Sequence, residues 1–305
     1  MLTRNAETAM YQAKGDGRNN FSFFSADMNK DMLQRITLEQ SLRRAVLQQE
    51  FCLHYQPIID NQTGQIIAVE ALVRWLDPKK GLIPPDQFIP IAEETGLIEP
   101  IGEWVLQQAL SDLKGWHEKG YLINMAINVS SRQLVHSHAN EFACLLNGLL
   151  QKFDIAPQSL HIEITESMLM ADTEQALNAL NAIRALGVEI YLDDFGTGYS
   201  SLSYLKRFPI SVIKIDKSFV DNMLEDKADA NLIKAIIMMG QSLDMKLVAE
   251  GVENMAQQEF LQGLGCDYVQ GYLISRPLAE MDIIELLADA AKAQLEEIEL
   301  NWETA

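Results

Sequence analysis

Glu70, Asn128, Glu163, Glu166, Asp193, Asp194, Lys214, Asp216, Glu250, Glu253 and Gln270 each stand at or near the end of a short apolar run. One charged residue closing an apolar strand is ordinarily a solvated boundary. Six or seven strands all ending in oxygen ligands are a different pattern. Asp193 and Asp194 are adjacent, and two neighbouring carboxylates repel unless a positive charge lies between them. A ring of carboxylates with one Asn amide, and no convergent Cys or His, selects hard cations such as Mg²⁺ or Mn²⁺ over zinc or copper. So many carboxylates cannot all ionise together without metal. A pair of ions roughly 3.5–4 Å apart is the usual solution, and it is an arrangement used for phosphodiester hydrolysis.

For these residues to meet, their strand ends must converge. Phe51 to Ile59 and Gln65 to Trp75 read as strands joined by the tight turn Asn61-Gln62-Thr63-Gly64, which forces them antiparallel. Helical stretches follow at Pro85 to Thr95 and Pro100 to Glu118. Apolar runs then alternate with helices: Leu122 to Val129, Leu160 to Thr165, Val188 to Leu192, Val212 to Ile215, Lys246 to Ala249 and Asp267 to Val269. The helices between them include Glu141 to Phe153, Thr173 to Leu186, Ala228 to Leu243 and Met255 to Leu264, and a last one spans 279–300. This alternation predicts an α/β fold: a TIM-like (β/α)8 barrel with one antiparallel strand from the opening β-hairpin. A doubly wound open sheet is the rival architecture, but the phosphate-loop and dinucleotide fingerprints that often accompany it are missing. In a barrel, the carboxyl ends of the parallel strands share one face, where barrel enzymes place their chemistry. The glycines after the Asp pair, Gly196 and Gly198, are expected to bend the chain so that two successive strand residues both reach the site.

The formal net charge of −19 argues against a nucleic-acid polymer as partner. A small anion held by metal and a few Lys or Arg stays compatible with it. Cys52, Cys144 and Cys266 lie far apart and read as apolar filler. No apolar run is long enough to cross a bilayer and the N-terminus is not a signal peptide, so this segment is expected to be cytoplasmic, without direct membrane insertion. A longer parent chain could still be membrane-anchored.

Glu70-Ala71-Leu72 with Arg74, Asn128, Glu163-Ile164-Thr165-Glu166, Asp193-Asp194-Phe195-Gly196-Thr197-Gly198-Tyr199-Ser200, Lys214-Ile215-Asp216, Glu250-Gly251-Val252-Glu253 and Gln270-Gly271-Tyr272 occur in the order of the EAL family, and the chain resembles that family across about residues 38–282. The resemblance implies a phosphodiesterase that hydrolyses cyclic di-GMP to linear pGpG with two divalent cations; the alternative is a catalytically silent cyclic di-GMP receptor. It implies Glu70, Asn128, Glu163, Asp193, Asp194 and Glu250 as metal ligands, with Asp193 bridging. It implies Lys214, supported by Glu253, Glu250 and Asp216, in activating the attacking water. Gln56, Leu72, Arg74, Gln270 and Pro277 are the implied substrate contacts. Glu166 is implied to fix the loop Gly196, Thr197, Gly198, Tyr199 and Ser200, which in such proteins also reaches a homodimer interface. Residues 1–29 resemble the C-terminal end of a GGDEF (diguanylate cyclase) domain. The expected division is therefore 1–29 as that remnant, 30–37 as linker, 38–288 as the EAL phosphodiesterase domain, and 289–305 as helix end and acidic tail.

Overall fold

The opening turn shows how local chemistry sets the architecture. Asp60 Oδ1 accepts hydrogen bonds from the Gln62 and Thr63 amides, at 2.9 and 2.8 Å, and from the Thr63 hydroxyl at 3.0 Å. The Gly64 amide closes the turn onto the Asp60 carbonyl at 2.8 Å. These donors hold the Asp60 carboxyl below its ordinary range and join β1 (Phe51–Asp60) to β2 (Ile66–Asp77). The computed structural model describes residues 10, 21, 23–135, 141–166, 168, 173–198 and 205–303. Residues 1–9, 11–20 and 22 of the stretch read as a GGDEF remnant lie outside them, as do Tyr199 and Ser200.

The chain divides into two compact units. The smaller comprises residues 1–51 and 75–97. Its elements are helix Ala26–Gln48, the end of β2 paired antiparallel with β3 (Gly81–Ile83), and helix Pro85–Thr95. Phe51, Trp75 and Phe88 form its aromatic centre, Trp75 and Phe88 meeting edge-on at 5.7 Å. Arg44 ties the unit by bonds to Glu50 (3.1 Å) and Asp77 (2.7 Å).

The larger unit comprises residues 52–74 and 98–305 and holds the expected barrel. Beyond β1 and β2 its strands are β4 (Asn124–Asn128), β5 (Leu160–Thr165), β6 (Glu189–Phe195), β7 (Val212–Ile215), β8 (Lys246–Ala249) and β9 (Tyr268–Val269). The order is β1-β9-β8-β7-β6-β5-β4-β2, and a β1–β2 pairing closes it. Strands β2 and β4 to β9 pair in parallel, whereas β1 pairs antiparallel with β9. That is the one reversed strand the hairpin demanded. Ile162, Ile190, Leu192, Ile213, Leu247 and Val248 are fully buried, as strands covered on both faces require.

The sequence-derived bounds hold to within about two residues for most elements, the usual ambiguity of element ends. The final helix runs from Glu280 to Glu303, further than expected. Two short helices had no counterpart in the sequence reading, Ser131–Val135 and Lys217–Asn222. The latter starts where Asp216 accepts from the Ser218 amide at 3.0 Å, an N-cap.

Candidate active site

Strand register brings the site residues level. Asn128 on β4 is opposite Glu163 on β5, and Thr165 is opposite Asp193 on β6. The Glu250 amide donates to Ile215 at the end of β7 (3.1 Å), and the Gln270 amide donates to Ala249 at the end of β8 (2.9 Å). Glu70 pairs with Ala126 in the same ladder. The carboxyl ends of these strands therefore deliver their polar side chains to one place.

At the centre is Lys214, whose side chain is 0% exposed. Its ammonium donates to Glu163 Oε2 and lies against Glu250 Oε1, each at 2.7 Å, with Glu70 Oε2 and Asp193 Oδ1 both at 3.4 Å. Burial by itself would lower the Lys214 pKa, but Asp193, Glu163, Glu250 and Glu70 outweigh it and hold the ammonium charged, well above its ordinary value. Glu70 is further held by Asn128 Nδ2 on Oε1 (2.6 Å) and Gln270 Nε2 on Oε2 (2.7 Å). Burial opposes its ionisation, yet the ammonium and the two amide donors bring its pKa below the usual value.

One ammonium does not neutralise this set. Burial, with the neighbouring charge of Glu70, pushes the Glu163 carboxyl well up despite Lys214. Burial likewise raises Glu250 to about 8. Asp194 is raised by burial and by Asp193 and Asp216. The buried Glu163 Oε1 and Gln270 Oε1 have no hydrogen-bond partner, which is costly for groups cut off from water. Oxygen donors in excess, positive charge in deficit and unpartnered buried acceptors fit divalent cations of the Mg²⁺ or Mn²⁺ type. The side chains as they stand converge on the ammonium. Among the described residues no group of three or more His, Cys, Asp or Glu is arranged to hold a metal ion.

The bend at the Asp pair differs from expectation. It begins two residues before Gly196, at Asp194 itself, which has φ +54°. The β6–β7 register shifts between Leu192 and Phe195, a bulge that lets successive residues turn to one side. Asp tolerates this left-handed conformation because its short side chain bonds locally. Here the Asp194 amide donates to Asp193 Oδ1 at 2.9 Å. Gly196 carries the bend further with φ +101°, as expected of a glycine, and Gly198 answers to close approach. The Gly196 amide donates to Glu166 Oε2 at 3.2 Å, and a Cβ at Gly198 would lie 2.8 Å from Glu166 Oε1. Thr197 donates from its hydroxyl to the Asp194 carbonyl at 2.9 Å, which fastens the loop to the bulge.

Other expected residues fall around this cluster. Gln56 accepts from Gln270 Nε2 (3.2 Å) and donates to the Ser275 carbonyl (3.1 Å). Arg74 and Leu72 are half-buried, and burial lowers the Arg74 pKa. Pro277 is half-buried, next to Leu278, which bridges antiparallel to Tyr55. Asp216 and Glu253 do not reach Lys214: the first caps its helix, and the second is bonded to Lys217 at 2.8 Å. Lys217 and Tyr272 are additional polar neighbours. Gln270-Gly271-Tyr272 stood out in the sequence, but only Gln270 was given a role there.

Among the described residues no helix is long and apolar enough to cross a membrane. The sequence model of the EAL domain matches residues 39–277. The chain is 46% identical over 291 residues to the bifunctional diguanylate cyclase/cyclic di-GMP phosphodiesterase MucR of Pseudomonas aeruginosa, covering 95% of this chain and 42% of that protein. It is 39% identical over 277 residues to the cyclic di-GMP phosphodiesterase PdeR of Escherichia coli, covering 91% of this chain and 41% of that one. The chain thus spans about two-fifths of the length of these curated relatives. A solved structure described as the PaMucR phosphodiesterase in complex with c-di-GMP superposes with a TM-score of 0.77 at 44% identity, over 81% of this chain and 99% of that one. Phosphodiesterases of this kind depend on divalent metal. A closed barrel with one reversed strand, a carboxylate ring at its strand ends and a match along most of the chain lead to one assignment: the chain belongs to the EAL domain family.

Proposed function

We propose that this chain is a metal-dependent phosphodiesterase that hydrolyses one phosphodiester bond of cyclic di-GMP to give linear pGpG. The observation that carries the reading is the convergence of Glu70, Glu163, Asp193 and Glu250, from separate strands, on one buried point with Asn128 and Gln270 bonded to Glu70. Two curated relatives named for this activity are 46% and 39% identical to the chain over the two-fifths of their length that it covers.

Glu70, Asn128, Glu163 and Asp193 would hold one Mg²⁺ or Mn²⁺, and Asp193, Asp194 and Glu250 a second. Bound there, the cations supply charge for the scissile phosphate and lower the pKa of the attacking water. Lys214 orients that water with its ammonium, on the side of the phosphorus opposite the leaving oxygen, so attack is in line and configuration inverts. Arg74 offers the phosphate a planar pair of donors. Gln56 presents its amide to a guanine edge, with Leu72 and Pro277 as apolar walls and Gln270 bracing Gln56 and Glu70. Glu166 keeps the Asp194 loop in place through Gly196. Residues 38–288 form the catalytic domain, which acts as a homodimer through the loop that starts at Gly196.

The test is a chromatographic time course of cyclic di-GMP with the purified chain, with and without Mg²⁺ or Mn²⁺. Metal-dependent accumulation of pGpG is expected. Substrate left intact in the presence of both ions, with tight binding, overturns the reading in favour of a silent receptor.

A further inference from the structure

Strand alternation puts the support for Gln56 on the far side of β1. Successive side chains of a strand face opposite ways, so Tyr55 points away from the face that carries Gln56. Tyr55 is fully buried, and its ring meets Trp116 of the helix Ile98–Glu118 edge-on at 4.8 Å. The Tyr55 hydroxyl donates to Asp112 Oδ2 on that helix. Asp112 Oδ1 accepts from Gln108 Nε2, one turn before it, at 2.8 Å. Asp112 is half-buried and shares a helix face with the buried Ala109 and Trp116. Burial raises its pKa, and an acidic side chain so placed is costly unless a donor uses it. Burial and the Asp112 charge hold the Tyr55 phenol well above its ordinary pKa, so it stays that donor.

The reversed strand needs a hold at this point. β9 is two residues long, and its ladder with β1 covers only Ile59 and Asp60. Beyond that ladder, β1 is tied to the chain that follows β9 by one antiparallel bridge. The Tyr55 amide donates to the Leu278 carbonyl at 2.7 Å, and the Leu278 amide donates to the Tyr55 carbonyl at 2.9 Å. Gln56, the next residue, donates to the Ser275 carbonyl at 3.1 Å and accepts from Gln270 at 3.2 Å. Both ends of the Gln56 amide are therefore oriented by residues 270–278, and the seat of that segment on β1 is set at Tyr55. A shift of the Tyr55 ring moves the bridge, and with it Ser275 and Pro277 relative to Gln56.

We propose that Asp112 is a positioning residue: through the Tyr55 hydroxyl it fixes the bridge to Leu278, and so sets where Gln56 and Pro277 stand toward the substrate. The inference rests on the phosphodiesterase reading above, which assigns those two residues to the substrate. Asp112 acts from the helix layer behind β1 and takes no part in the chemistry.

The test compares Asp112→Leu, Asp112→Asn, Tyr55→Phe and the double variant Asp112→Leu/Tyr55→Phe on two substrates with Mn²⁺: cyclic di-GMP, and bis(p-nitrophenyl) phosphate, a diester without a base to orient. Loss of the hydrogen bond is expected to raise KM for cyclic di-GMP about fivefold in Asp112→Leu and in Tyr55→Phe. In both, kcat and turnover of the second diester are expected to change less than about twofold, because uniform binding and not transition-state stabilisation is lost. Asp112→Asn keeps an oxygen for the Tyr55 hydroxyl, and Gln108 can turn its amide to meet the new nitrogen, so KM should return to within about twofold of the wild type. The double variant should be no worse than the poorer single one, since both break the same bond. Where Asp112→Leu does not fold, Tyr55→Phe and Asp112→Asn carry the comparison. An unchanged KM in Tyr55→Phe, an equal loss on both substrates, additive losses in the double variant, or an Asn variant as poor as Leu overturns the proposal. Calorimetric binding of cyclic di-GMP to Glu70→Gln protein, with and without Tyr55→Phe, reads the positioning without turnover. Weaker binding with Tyr55→Phe supports it even if the wild-type chain hydrolyses no cyclic di-GMP, a result that would count against the phosphodiesterase reading alone. Equal binding overturns it.

Discussion

Replacing Lys214 with Met removes the only ammonium among four carboxylates while keeping most of the side-chain volume. Lys214 and Glu163 have fully buried side chains, and Glu70, Asp193 and Glu250 are at most 19% exposed. Removing one partner of a buried ion pair costs about 3–5 kcal/mol, because the other charge is left uncompensated. Proton uptake limits the cost here: burial already raises Glu163 and Glu250, so these two can neutralise when the ammonium goes. For a chain of this size, roughly 2 °C in Tm per kcal/mol makes about 6–10 °C the upper bound on the fall in EDTA, and proton uptake brings the expected fall below it. A divalent cation that binds the folded site compensates by linkage. Mn²⁺ should therefore raise Tm more in Lys214→Met than in the wild type, although the variant loses turnover. Glu163→Gln is the matched control. Its carboxyl is held against its preference for the neutral form, so the amide should cost less than about 1 kcal/mol in EDTA. Thermal melts followed by circular dichroism, with EDTA or Mn²⁺, read all four conditions. If Lys214→Met melts within about 2 °C of the wild type in EDTA, or gains no more from Mn²⁺, the electrostatic account of this centre is wrong.

Glu70→Ala removes the acceptor that Lys214, Asn128 and Gln270 share, and is expected to lower cyclic di-GMP hydrolysis by at least about a thousandfold with an unchanged far-ultraviolet spectrum; normal turnover would refute the metal assignment. Asp194→Asn should keep the fold, since Asn accepts φ +54°, yet lose activity. Asp194→Val should lose activity and also about 1–3 kcal/mol in a urea titration, through strain at the bulge. In the smaller unit, hydrogen bonding from Arg44 depresses the Glu50 carboxyl, and backbone donors from Lys79 and Lys80, with Arg44, overcome desolvation to depress Asp77. Carboxyls with lowered folded pKa values stabilise above the unfolded pKa, and that contribution fades as pH falls through the folded values. Trp75 fluorescence should therefore report an acid transition below about pH 4, and Arg44→Met should shift it to higher pH. An identical acid midpoint in that variant would exclude the network as its cause.

Much of the barrel could be read from the sequence because it rests on local rules. Each strand is a short apolar run, the hairpin is set by the residues from Asp60 to Gly64, and the parallel order follows from strand–helix alternation. The convergence of Glu70, Asn128, Glu163 and Asp193 needed only that strand ends meet. What sequence could not supply was where each polar side chain finds its partner. Asp216 follows Lys214 by two residues and looks like its companion, but it ends the strand and caps the next helix, so its carboxylate is used by Ser218. Glu253 looks like a further support for Lys214 but meets Lys217, a basic residue on a helix too short to show periodicity. The smaller unit was also hidden, because its aromatic centre joins residues 51, 75 and 88, from segments read as strand, strand and helix of the barrel itself.

The Asp pair marks the boundary between these two cases. Alternation along β6 sends successive side chains to opposite faces, so a regular strand would bring either Asp193 or Asp194 to the centre, not both. The conflict is resolved inside the strand, where Asp194 adopts the left-handed conformation and the β7 register slips past it. Local strand preference and the demand of the site disagree at this one residue, and the site prevails. Gly196, at φ +101°, continues the bend, and Gly196 and Gly198 together let the loop lie against the Glu166 carboxylate, which holds the far side of the bulge. The strain at Asp194 is thereby borne by contacts on both flanks, Asp193 before it and Glu166 and Thr197 after it. A change at Glu166 should therefore act on Asp194 through the loop while leaving Glu70 and Asn128 in place.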